Sequence, residues 1–205
     1  MHPFEERWPK LVDDYGYLRA RAEAGVQRWA WAHGDAALHV REPLHAERLG
    51  ARPRGLLTKA PKRQVNVMEY GYETDELVVV ARRYGAFGNR HDEFFFPEGD
   101  RVESVRYAIH PLRIGSSDTY IVPERFSEHV FEAGRSKEYR AYHGANGWTC
   151  ERYVYQDGVL VQIDTVYRRA DGEQRELWSV SYDRKGQVSQ IRDEVTETVV
   201  FAHPR

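Results

Sequence analysis

Nine histidines and one cysteine, Cys150, are the side chains with which this chain could do nucleophilic, acid–base or metal chemistry. His33, His39 and His45 fall six apart. Helical zinc ligands instead recur about four apart, because that spacing puts two side chains on one face. No HExxH occurs, and a lone cysteine cannot build a thiolate zinc site, so no metal and no other cofactor is expected. His91-Asp92-Glu93 and His110 read as loop residues near strand ends, where an imidazole can serve as base or ligand. A histidine satisfied by ordinary hydrogen bonds is the commoner outcome at both places. Cys150 would need His143, across the turn Gly144 to Gly147, to draw its thiol pKa down. A strand cysteine with neutral neighbours is simply packed.

Other catalytic patterns are missing. GAFGNR lacks the GK[ST] ending of a phosphate loop, and there is no GxSxG elbow. Glu151, Asp164, Glu176 and Asp193 recur on what read as neighbouring strands. Asp164 interrupts the apolar run Val159, Val161, Ile163, and Arg152 or Arg168 could pair with it across strands. Should the sheet curve round a ligand instead, the pocket would be lined by His110, His143, Arg152 and Asp164.

These side chains need elements to hold them. Leu11, Tyr15, Leu18, Ala22, Val26 and Trp29 recur at steps of three and four, which predicts a helix over 11–31. Asp35 is a good cap for a second short helix to about Leu49. Gly50 to Arg63 is rich in Gly, Pro and base and reads as a connector. From Gln64 the period changes to two. QVNVMEYGY and LVVVARRYG form a hairpin, and FFF and RVESVRYAI form another about Pro97 to Asp100. Residues 110–134 read as irregular, with a short helix over Glu124 to Phe131. From Ser136 a meander follows, turning at Gly144–Gly147, Asp157–Gly158, Asp171–Gly172 and DRKG, with TVVFAHPR as a last edge strand. The expectation is an α+β fold, with one or two N-terminal helices packed on a twisted antiparallel meander of eight to ten strands. Residues 1–63 would be the helical segment and connector, and 64–205 the sheet.

Three segments repeat an aromatic, a short turn and an aliphatic: Tyr70 to Val78, Tyr153 to Val161, and Ser181 to Val188. The last two resemble tyrosine-aspartate (YD) repeats of the Rhs type and the hairpin repeats of MORN-type bacterial proteins. The whole chain is similar in style to small bacterial immunity proteins of polymorphic toxin systems. That resemblance implies a bacterial hairpin scaffold that blocks a toxin partner.

Composition agrees with a contact protein. Lys and Arg total 30 against 32 Asp and Glu, for a net charge of −2, which argues against a nucleic-acid partner. No apolar run is long enough to span a membrane, and MHPFEERWPK is not a secretory signal, so a cytoplasmic location is expected. With 13 Tyr and 5 Trp, the chain is rich in the residues that dominate interface hot spots. The expected contact residues are Trp148, Arg152, Tyr155, Tyr167 and Trp178. A protein partner is therefore the leading reading. The alternative is a curved sheet that binds, or acts on, a nucleotide or sugar.

Overall fold

The computed structural model describes residues 3–33, 38–48 and 55–202. Twelve strands are hydrogen-bonded to one another in the order of the chain. The expected antiparallel meander is present, with more strands than the eight to ten expected. The chain divides into two compact units. One takes Met1–His39 and Pro53–Ser127, the other Val40–Arg52 and Glu128–Arg205.

The first unit opens with helix α1, Pro3–Ala24. Leu11, Leu18 and Ala22 of the anticipated stripe are buried. The helix stops seven residues before the expected Trp31. Gly25 and Val26 close its end by hydrogen bonds to Ala22 and Glu23. Trp29 and Trp31 instead alternate on strand β1, Arg28–His33, whose Ala30 and Ala32 point inward. In Arg28–His33 small and large residues alternate with period two, and that competing signal wins once Gly25 has interrupted the helix. Strand β2, Val67–Tyr72, pairs with β1 and with β3, Val78–Tyr84. Gly71 of β2 has no room for a side chain, since a Cβ there would lie 2.7 Å from Val26 Cγ2. Strands β4, Arg90–Glu98, and β5, Arg101–Pro111, form the hairpin expected about Pro97 to Asp100.

Residues 119–132 depart most from expectation. Instead of an irregular stretch with a helix, Thr119–Glu132 is one fourteen-residue strand, β6. Phe126, Ser127, Glu128 and His129 are consecutively buried. A strand covered on both faces shows no alternation, so its period is invisible in the sequence. Its charges are paired: Arg125 with Glu93, and Glu128 with Arg140.

The second unit contains β7, Arg135–Tyr142, β8, Trp148–Gln156, β9, Val159–Arg169, β10, Gly172–Tyr182, β11, Val188–Asp193, and β12, Val199–Ala202. The expected turns and the last edge strand are all there. Gly147, at φ +90°, closes the β7–β8 turn where a Cβ would meet the Arg168 carbonyl oxygen at 1.8 Å. Of the expected second helix, only α2, His45–Arg48, is helical. Its proposed ends, Asp35 and Leu49, lie outside the described residues, as do residues 50–54 of the connector.

Candidate functional site

Strand parity sorts the second unit's residues onto two faces. Register pairs Glu138 with Arg152, Arg140 with Cys150 and Tyr142 with Trp148 on one side of β8. On the other side it pairs Trp148 with Arg168, Arg152 with Asp164 and Val154 with Gln162. These side chains share a face. The intervening residues, Thr149, Glu151 and Tyr153, point the other way, opposite Tyr167, Thr165 and Ile163.

That second face is the filled one. Tyr139, Ala141, Tyr153, Leu160 and Ile163 form its core, with Leu44, Tyr155 and Trp178 packed against it. Arg48 of α2 grips Glu151 with two bonds, at 2.7 and 3.1 Å, and lies 5.3 Å over the Trp178 ring. Tyr153 donates its hydroxyl to Glu151 at 2.7 Å, and Tyr167 donates to Glu176 at 3.0 Å. Burial pushes both phenols far above the ordinary tyrosine range, and their carboxylate neighbours add to this. His129 stacks on Phe131 and Tyr153. Burial, helped by Arg41, drives its pKa down to about 4 and keeps the ring neutral.

The anticipated contact residues therefore separate. Trp148 and Arg152 share one face. Tyr155, Tyr167 and Trp178 belong to the filled face, committed to the core and to Arg48. Of the anticipated pocket residues, those of the second unit are held by other partners. Arg152 and Asp164 are register partners, but Asp164 is held by Arg175 through two bonds of 2.8 Å, and Arg152 leans to Glu138 at 3.4 Å. The cross-strand ion pair expected for Asp164 exists with a different arginine. His143 reaches Thr149 Oγ1 at 3.4 Å, on the face opposite Cys150. The Cys150 thiol is raised by burial and by Glu138, the reverse of an activated nucleophile.

In the first unit, His91, Asp92 and Glu93 lie within β4 and not in a loop, and consecutive residues there serve opposite faces. Asp92 faces α1. Arg82 reaches Asp92 at 3.1 Å, Glu69 at 2.8 Å and Glu23 of α1 at 2.5 Å, while Tyr15 donates to Asp92 at 2.7 Å. Burial alone would raise the Glu23 carboxyl, but Arg19 and Arg82 overcome it and leave it below its ordinary value. One guanidinium with three carboxylates ties the helix to β2, β3 and β4. Sequence reasoning missed this network, although Glu69 and Arg82 both interrupt alternating or apolar runs.

Glu93 faces the other way, bonded to Arg125 at 2.6 Å and to the Ser104 hydroxyl at 2.9 Å. Burial works to raise its pKa, yet Arg125, His39 and Arg106 bring it down to about 2. On the same face His91 Nδ1 meets Glu124 at 2.8 Å, and Arg106 meets the same carboxylate at 3.0 Å. His110 Nδ1 meets the Asn89 side-chain oxygen at 3.2 Å. The two imidazole rings stand 6.4 Å apart, and His110 stacks on Tyr120 at 5.0 Å. Glu124 sits below its ordinary pKa, chiefly through the His91 hydrogen bond. A recess of about 390 Å3 near Asn89 opens on the opposite side, among Tyr84, Arg90 and Ile109. Among the described residues no group of three or more His, Cys, Asp or Glu could hold a metal ion, and no helix is long and apolar enough to cross a membrane.

Comparison with known proteins found no matching family model, no matching curated protein and no matching solved structure.

Proposed function

We infer that this chain is a protein-binding module of the immunity or antitoxin type, which neutralises a toxin by docking on it with the open sheet face of its second unit. The observation that supports this reading is the layering of charge on that face. Its guanidiniums stand outermost, with Arg152 67%, Arg175 62% and Arg140 45% exposed. The carboxylates they pair with lie beneath, Glu138 at 16% and Asp164 at 18%. Trp148, Tyr142 and Leu177 are half-buried between them. The one helix described in this unit, α2, holds Glu151 on the opposite face, so no described helix of this unit covers this one. Arginine stems over a half-buried aromatic floor are what interface hot spots are made of, and their outward charge suits an acidic protein surface. Arg168, also exposed, has no ion-pair partner among the described residues and adds to that charge.

The test is co-expression with each toxin-domain protein encoded beside this gene, reading host growth. Wild-type chain restores growth against one of them. An Arg152→Glu, Arg175→Glu double variant folds with the same circular dichroism and fails to protect. Protection by the double variant, or toxicity that the wild-type chain never relieves, overturns the reading.

A further inference from the structure

The first unit carries a second polar constellation, in which four successive strands each bring a side chain to one patch. Arg83 of β3 is the register partner of His91 on β4. Extending the β4–β5 register by one residue from Arg90 and Ile109 sets Asn89 beside His110. Strand β5 supplies Arg106 and His110, and β6 supplies Tyr120 and Glu124. Each imidazole is anchored through Nδ1 alone. A carboxylate and an amide oxygen only accept, so each Nδ1 carries the proton, donated to Glu124 in one ring and to Asn89 in the other. Both Nε2 atoms are then left outward without a protein partner among the described residues. Packed structural histidines are held through their rings, as His129 is. Two rings held by the back edge, with their centroids 6.4 Å apart and their Nε2 atoms free, can reach one anion from two sides.

The surrounding charge favours that anion. Arg83 is exposed and has no ion-pair partner among the described residues. Arg106 and Glu124 neutralise one another at 3.0 Å. Protonated imidazoles beside a free guanidinium make charge-assisted hydrogen bonds to phosphate oxygens. Tyr120 is 50% exposed with its ring stacked over His110 at a 29° tilt, and Phe87, in the turn that leads to Asn89, is 69% exposed. These are flat apolar surfaces at the rim of a cationic patch.

We propose that His91, His110 and Arg83, with Tyr120 at the rim, form a binding site for a nucleoside phosphate, the phosphate between the two imidazoles and the base against Tyr120. The site is separate from the docking face and does not depend on it. Calorimetric titration with adenosine monophosphate, adenosine and inorganic phosphate tests it, alongside imidazole proton resonances. The monophosphate is expected to bind more tightly than adenosine, to shift two histidine resonances, and to be displaced by phosphate. Arg83→Ala and His110→Gln each weaken it by about tenfold, roughly the loss of one charge-assisted bond. Tyr120→Ala weakens the monophosphate and leaves phosphate unchanged. Arg152→Glu alters none of these. The proposal is overturned if the monophosphate gives no saturable heat at millimolar concentration, if it binds no tighter than adenosine, or if Arg83→Ala and His110→Gln bind as wild type.

Discussion

At the scale of single residues, the chain treats its histidines in two opposite ways. His91 and His110 are edge-anchored and open. His129 is 4% exposed, stacked between aromatic rings, with Nε2 buried and unbonded. An unfolded histidine titrates near its ordinary value of 6.5, whereas this one is held to about 4. The unfolded chain therefore takes up the proton first. Stability that is full above pH 6.5 is lost as pH falls toward 4, by up to about 3 kcal/mol. Glu93 shifts in the same direction in a lower window, from 4.5 to about 2, so acid lability continues below the histidine range. Urea midpoints measured from pH 7.5 to 4 should fall across the histidine window, and His129→Phe, which keeps the ring stacking, should flatten that fall. An unchanged slope in the variant would remove His129 as its source. The histidine spacing alone ruled out a helical zinc set. Which ring is buried and which is open depends on strand faces, which the sequence does not display along a buried stretch such as Phe126 to His129.

At the scale of elements, turns and close approaches set the register of the meander. The Gly144 to Gly147 turn places Gly147 directly against the backbone of the β9 end, and its φ is positive. Gly147→Ala meets a carbonyl oxygen that cannot rotate away and adds left-handed strain, for an expected loss of about 2–4 kcal/mol. Gly71→Ala meets the Val26 side chain, which can turn, so its expected cost is lower, about 1–2 kcal/mol. Chemical denaturation of the two variants compares them, and a larger loss at Gly71 would contradict this ranking. The hairpins were legible because Asp-Gly and Gly-rich turns interrupt period-two runs. Helix α1 was legible from its buried stripe and was extended too far only because Val26 and Trp29 happen to continue the helical spacing past Gly25.

At the scale of the whole molecule, charge distribution separates candidate roles that net charge conceals. A total of −2 says little about a face where the outermost layer is guanidinium. If that face meets an acidic partner, association slows as salt rises from low to physiological, with dissociation much less affected. Stopped-flow or surface-plasmon rates against the neutralised toxin would read this directly, and a salt-independent association rate would argue for apolar docking elsewhere. The sequence by itself determined the class: a helix followed by an antiparallel meander, with turns placed by Gly and Asp. Those follow from local periodicity and residue chemistry, which need no knowledge of distant neighbours. Only the tertiary structure decided which face each side chain serves. It turned Trp148 and Arg152 one way and Tyr155, Tyr167 and Trp178 the other, gave Asp164 to Arg175, and brought His91, His110, Arg106 and Glu124 from three strands onto one patch. The physical reason is register. One residue of shift reverses a strand's faces, and that shift is set by partner strands that can lie tens of residues away in the chain.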